Sequence, residues 1–448
     1  MLLYIRKLFW LLAFCLTSFA SFAHSMDAEA SLVLLDQRQR AQLSDAILQK
    51  RVKQLLPKLM RDTNIDMWIV MGREYNEDPI LSTMLPSDWF SARRRTVLAF
   101  IDLGKQDGVK SYVIADYDMG DVFERGWDKS KHTSQMAALN ALIAQYQPQR
   151  IGINTSQHFG LADGLSATDK QLLVKSLAPA VAERLVSAEP LAVAWLETRI
   201  DEEVAILRQL SKLTKRVIKT GFSNQVITAG ETTLGDLVWW FRQQASELHL
   251  TTWFQPAIRL QRKNLPTNIS QQADLVIMPG DLLHVDFGLS YLGMHSDIQQ
   301  HAYVLTENEQ TAPEFLQQAL LRANRLQDVL VEQFALNRTG NDILARSRKQ
   351  ALSAGLQPKI YSHPIGYHGH GAGMNIGRWD AQHGLEGIGE HRLVHNSAYA
   401  IELSNTSYAA PWQKPVVIML EENAIFTEQG VDYLAARQTQ LILIKPRL

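Results

Sequence analysis

The rhythm of apolar and polar positions changes several times along the chain, and each change predicts an element. Leu43 to Met60 (LSDAILQKRVKQLLPKLM) repeats apolar residues at helical spacing, and MWIVMG, TVLAFID, SYVIADY and RIGINTS then follow as short apolar runs of strand length. Alternating helices and strands over 28–194 predict an α/β domain with a mixed or parallel sheet. Within it, REYNEDPILSTMLPSDWF (Arg73 to Phe90) reads as a loop, either a plain surface loop or part of a substrate pocket. From Trp195 to Thr220 a single apolar stripe runs through Ile200, Val204, Leu207, Leu210, Leu213 and Val217. Glu202 and Glu203 lie early in it and Lys215, Arg216 and Lys219 late, as the helix dipole favours. A second helix is expected at LGDLVWWFRQQASEL, behind the turn and cap Ala229 to Thr233, with Trp239, Trp240 and Phe241 placed in the core. Pro313 to Ala335 and Asn341 to Ala354 read as two more helices.

Leu282 to Leu305 (LLHVDFGLSYLGMHSDIQQHAYVL) reads as two strands joined by turn residues, each with one acid in an apolar setting, Asp286 and Asp297. Either aspartate alone fits a solvent-facing turn equally well. Both buried on neighbouring strands would repel each other unless a cation sat between them. Three more candidates follow in β-like segments: His363 in YSHPIGYHGHGAG, Glu402 in SAYAIELSN and Glu421 in VVIMLEENAIF. Four carboxylates with one imidazole and no thiolate suit manganese, cobalt or zinc, and are enough to bridge two ions.

The order and spacing of these five residues resemble the catalytic domain of the pita-bread metallopeptidases, the family of methionine aminopeptidase, aminopeptidase P and prolidase. That family has a D-x-G … SD-I-T-like pattern with its acids eleven residues apart, and Asp286-Phe287-Gly288 and Ser296-Asp297-Ile298 keep this spacing. Its H-x-x-G-x-x-x-H pattern is matched from His363 through Gly366 to His370, and its final glutamate segment by Ile418 to Asn423. The resemblance implies an α/β N-terminal domain (28–194) followed by an α+β pita-bread, creatinase/aminopeptidase-like catalytic domain (195–448). In layout it comes nearest to Xaa-Pro aminopeptidase. It further implies metal ligands Asp286, Asp297, His363, Glu402 and Glu421 around two divalent ions, manganese foremost and cobalt or zinc as alternatives. Asp297 and Glu421 would bridge the ions, Asp286 would complete one, and His363 and Glu402 the other. Glu402 would shuttle protons and His370 would stabilise the oxyanion as a metal-bridging hydroxide attacks the peptide carbonyl. The substrate so implied is a peptide losing its N-terminal residue at an Xaa-Pro bond, and the expected assembly is a homodimer. The helix opening Arg199-x-x-x-Glu203-x-x-x-Leu207 matches a structural feature of the family.

Three segments depart from the family's pattern. Gln255 stands where aminopeptidase P of the bacterial type has a histidine, Leu403-Ser404 follow Glu402 in place of Pro-Gly, and Met419 stands where an arginine is usual. These leave room for a metal-dependent non-peptide hydrolase or lyase on the same fold, or for an inactive peptide-binding homologue. His368 has no counterpart, and a zinc pair of His368 with His370 is a competing idea. Outside the family, an exported solute-binding protein would share the α/β pattern but gives no reason for four acids on strands.

Composition adds two points. With 45 basic and 46 acidic residues and no basic run, the chain has no electrostatic footprint for nucleic acid. Residues 1–23 read as an export signal: Arg6 and Lys7 precede the apolar LFWLLAFCLTSFA, and Ser21-Phe22-Ala23 offer a cleavage site. The only cysteine, Cys15, falls inside this segment, so a mature chain would contain neither a disulfide nor a thiolate nucleophile. A periplasmic or secreted location is therefore expected, with no stable membrane association after cleavage.

Overall fold

The computed structural model describes residues 34–266 and 270–445, and the expected export segment, 1–23 with Cys15, lies outside them. The described residues from Arg38 onward group as one compact unit. The expected first helix is there, but interrupted: α1 (Gln37–Lys50) passes through a π-helical turn, Arg51–Leu55, into α2 (Leu56–Asp62). Next come β1 (Met67–Arg73), the short α3 (Pro79–Ser82), β2 (Arg95–Asp102), β3 (Val109–Ile114), β4 (Glu124–Arg125), α4 (Gln135–Tyr146), β5 (Ile151–Ile153) and β6 (Leu185–Ser187). The strands form one sheet in the order β4-β3-β2-β1-β5-β6, antiparallel between β1 and β2 and parallel between β1 and β5. Alternation in β1 explains its apolar sequence: Trp68 and Val70 pack with Leu59 and Met60, while Met67, Ile69 and Met71 pack with Leu139 and Ile143. Both faces of the sheet are covered, as an α/β layer requires. In the loop after β1, Asp78 caps α3 by accepting from Ile80 N, while Tyr75 and Phe90 stand exposed.

The second half opens on α5 (Glu189–Glu197) and α6 (Asp201–Gly221). These replace the single helix expected from Trp195 to Thr220. The chain breaks between them because Thr198 bridges to Ser397 and Arg199 N donates to Asn396 O, long-range pairings that local periodicity cannot report. In α7 (Leu234–Glu247), Thr233 and Asp236 form a reciprocal capping box. Phe241 is core as expected, whereas Trp239 points outward and is 63% exposed.

Then follow β7 (Ala257–Gln261), β8 (Leu282–Phe287), the small hairpin of β9 (Ser290–Tyr291) and β10 (Met294–His295), and β11 (Ile298–Val304). Helices α8 (Glu314–Val331) and α9 (Gly340–Ser353) precede β12 (Pro358–Ile360), β13 (His363–Pro364), β14 (Ser397–Ala409), β15 (Lys414–Thr427), β16 (Gly430–Tyr433) and β17 (Ile442–Ile444). The large sheet runs β12-β14-β15-β11-β8-β7, with β13 added to β14, β16 to β15 and β17 to β11. Tyr399, Ile401, Leu403 and Leu420 bury one face against Leu316, Leu320, Ile343 and Leu344 of α8 and α9. The alternate residues of those strands point to the opposite face, where the chemistry lies. Among the described residues no helix is long and apolar enough to cross a membrane.

Candidate metal centre

Strand register lays four of the relevant side chains in one row across the sheet. Asp286 of β8 pairs with Gln299 of β11, Gln299 pairs with Glu421 of β15, and Glu421 pairs with Glu402 of β14. Paired residues of adjacent strands project to the same face, so three carboxylates and one carboxamide face the same space. Asp297 enters from the residue before β11 and His363 from β13, and all five expected ligand positions therefore meet in one place.

Two of the acids are held from behind. Asn423 clamps the backbone of Asp297, its Oδ1 accepting from Asp297 N at 3.1 Å and its Nδ2 donating to Asp297 O at 3.0 Å. Ser211 of α6 in turn donates to Asn423 Oδ1 at 3.2 Å. Ser362 does the same for Glu402, donating to its carbonyl and accepting from its N–H, both at 2.9 Å. His363 Nδ1 lies 3.0 Å from the Pro364 carbonyl and must donate to it. The Nε2 lone pair is thereby aimed at the acids, 3.4 Å from Glu421, 3.7 Å from Asp297 and 4.0 Å from Glu402.

Buried atoms left without a partner locate the missing charge. His363 Nε2, Asp286 Oδ1, Asp297 Oδ1 and Glu421 Oε1 are all buried, and none has a hydrogen-bond partner. An imidazole lone pair facing carboxylate oxygens is an all-acceptor arrangement of the kind that a metal cation satisfies. Burial, then the neighbouring acids, push the Asp297, Glu402 and Glu421 carboxyls well above their ordinary range, and burial pushes Asp286 up to about 6. The residues fit a divalent metal. Among the described residues, ligand atoms converge in two groups, Asp297/His363/Glu421 and Asp286/Glu402/Glu421. Glu421 is the only residue common to both. Asp297, expected as a second bridge, falls in one group, and Glu402 falls with Asp286, drawn there by the intervening Gln299.

His370 lies at the mouth, exposed, with its ring 4.7 Å from that of His363 and 5.1 Å from Trp253. Trp253 is fixed by donating Nε1 to Ser296 O at 2.9 Å. It presses so closely on Gly369 and Gly288 that a Cβ at either would fall 2.3 Å and 2.6 Å from its indole. Close approach is the reason for glycine here. His368 belongs to neither ligand group, and Gln255 is exposed and accepts from Arg242 at 3.1 Å.

Two residues facing the acids are missed by a search for ligand types. Tyr361 lies close enough to Glu402, Glu421 and Asp286 for their charge to raise its phenol further, on top of burial. Gln299 is the other. Two-residue alternation from Asp297 would have placed it on the ligand face.

Comparison with known proteins agrees with this geometry. The family model described as metallopeptidase family M24 matches residues 205–428, half of the chain. No curated protein matches the sequence. Among solved structures, the X-Pro aminopeptidase of Thermotoga maritima superposes with a TM-score of 0.61 at 15% identity, over 86% of this chain and 99% of its own. The Xaa-Pro dipeptidase of Bacillus anthracis gives 0.59 at 14%, over 91% and 100%. The N-terminal domain of the FACT complex subunit SPT16 from chickpea gives 0.57 at 12%, over 89% and 99%. At such identities these likenesses establish the fold, an N-terminal α/β domain ahead of a creatinase/aminopeptidase-type domain. With half its length matched by the family model and its acids and imidazole converging on one buried face, this chain belongs to metallopeptidase family M24.

Proposed function

We propose that this protein is a metal-dependent peptidase that removes the N-terminal residue of peptides at Xaa-Pro bonds. The observation that carries it is the His363 Nε2 lone pair held, without a donor, against buried carboxylates of three strands. A divalent ion there, manganese foremost, would supply Lewis acidity toward the scissile carbonyl and make bound water acidic. Glu402 takes the proton of the attacking water and delivers it to the leaving amine. His370, at the mouth, donates to the oxyanion as the carbonyl becomes tetrahedral. Trp253, braced between two glycines, supplies an apolar wall suited to a prolyl ring. Export to the periplasm or medium belongs to the same reading, supported by the n-region and apolar run of 1–23.

The test is metal content together with turnover. The purified chain is analysed for bound metal, then assayed on X-Pro dipeptides and X-Pro-containing tripeptides with manganese, cobalt and zinc. Cleavage of the X-Pro bond is expected, with the dipeptide-to-tripeptide ratio separating a prolidase from an aminopeptidase. Asp297→Ala and Glu421→Ala should lose metal and activity together, and wild-type-like turnover in either would sink the scheme. Bound metal without peptide turnover would point instead to a non-peptide hydrolase.

A further inference from the structure

The carboxamide at the centre of the row is not a ligand type for which this site has use, yet it is the most heavily bonded group in it. Gln299 Nε2 donates to Glu421 Oε2 at 2.9 Å, to Glu402 Oε1, and more weakly to Asp286 Oδ2 at 3.4 Å. These are the three residues of the second ligand group. An amide has two N–H donors, and here both are spent on carboxylates, one of them shared.

Its orientation is fixed. Gln299 Oε1 lies 3.0 Å from Nε2 of the fully buried His284, and a carbonyl oxygen can only accept, so His284 Nε2 carries the proton. Turning the amide over would set its oxygen against three carboxylates. The His284 ring lies 5.0 Å from that of His301 and tilted to it, and His301 Nδ1 meets Leu283 O while its Nε2 accepts from Met419 N, each at 3.0 Å. Gln299 is itself only 3% exposed, so solvent offers its carboxamide no alternative partner.

A cation needs lone pairs of those carboxylates at roughly 2.0–2.2 Å, and the amide N–H₂ already occupies the space between them. The first group is different. Glu421 uses Oε2 for the amide and keeps Oε1 free, on the side of His363 and Asp297. At the position where the family pattern SD-I-T has a threonine, this chain has the longer Gln299.

We propose that the Gln299 carboxamide is a built-in occupant of the Asp286/Glu402/Glu421 subsite, so that this chain holds one divalent cation, at Asp297, His363 and Glu421. This rests on the metal-dependent reading above and departs from the two ions that the family resemblance implies. Asp286 and Glu402 then serve as hydrogen-bonded acids, which leaves Glu402 free for proton transfer.

The test is titration of the metal-free full chain with MnCl2, followed by calorimetry, elemental analysis after desalting, and electron paramagnetic resonance. Wild type should saturate at about one manganese per chain and give the signal of isolated ions. Gln299→Thr and Gln299→Met, which shorten the side chain or remove its donors, should each gain a second ion with at least about a tenfold gain in affinity at that subsite. Two variants guard against misfolding of one. Asp286→Ala should keep the single wild-type ion and Asp297→Ala should lose it. Two ions of similar affinity in wild type, or loss of metal on replacing Gln299, would overturn the inference while leaving the metal-dependent reading intact. No metal in wild type or either Gln299 variant would overturn both.

Discussion

At the scale of single residues, His370 and His363 differ in what they can do although their rings are 4.7 Å apart. His363 has committed Nδ1 to a backbone carbonyl and offers only a lone pair. His370 keeps access to solvent, so it is free to donate to an incoming oxyanion. His370→Ala should therefore lower kcat by about 10²–10³-fold, the size seen when one oxyanion donor is lost, with little change in KM and unchanged bound metal. Steady-state kinetics beside elemental analysis checks this, and a KM effect alone would assign His370 to substrate binding. The four acids and one imidazole of the cluster are legible in the sequence because ligand chemistry restricts residue type and strand spacing restricts position. Gln299 is not legible in that way. An amide announces no metal chemistry, and its importance arises only from the register that seats it between Asp286 and Glu421.

At the scale of elements, the start of α6 and the π-helical turn after α1 are tied by charge. Arg51, at the first position of the π turn, donates to Glu203 Oε2 at 2.7 Å, and Arg199 Nη1 lies 3.5 Å from Glu203 Oε1, with Arg51 and Glu203 fully buried. Glu203 also accepts from Ile200 N at 3.0 Å, closing the first turn of α6. The Arg199 and Arg51 guanidinium groups lie 4.9 Å and 5.1 Å from the ring of Tyr367, in the same glycine-rich segment as His363. Removing Glu203 leaves two desolvated guanidinium groups without the carboxylate that both face. Glu203→Ala should cost about 3–5 kcal/mol in urea unfolding, the range for breaking one side of a buried pair. A loss below about 1 kcal/mol would mean that water enters and solvates the arginines. The stripe through α6 and the Arg199–Glu203 spacing are readable in the sequence because both are local. The break at Thr198 and the outward turn of Trp239 are not, since they depend on Ser397 and on which side of α7 the sheet lies.

At the scale of the molecule, two charge arrangements couple stability to solution conditions. His391, in the segment before β14, lies 2.9 Å from Glu197 at the end of α5 and 5.6 Å ring to ring from Phe159 of the first half. Burial pulls its pKa down, but the charge of Glu197 and its hydrogen bonds outweigh this and the net shift is upward. A raised folded value means that the stabilisation is complete below the ordinary imidazole value of about 6.5 and fades as pH rises through the folded one. Wild type should exceed His391→Gln in stability most clearly near pH 6, and the gap should narrow on the alkaline side in denaturant titrations. The metal centre acts in the same currency. Chelation leaves buried acids facing each other, so the melting temperature should drop, and manganese at a hundredfold excess over Kd should restore about 2.7 kcal/mol. An unchanged melting curve with and without chelator would show that the acids are satisfied by protons instead. The row Asp286–Gln299–Glu421–Glu402 has one more consequence, for how the chain acquires activity. Its members come from two separate stretches of chain, β8 with β11 and β14 with β15, and slipping β8 or β14 by a single residue would turn its acid to the opposite face and bring Val285, Phe287, Ile401 or Leu403 into the row. Registry and catalytic competence therefore arrive in one cooperative event, and a misregistered folding intermediate is chemically silent: a newly made chain cannot cut peptides until its last long-range strand has docked.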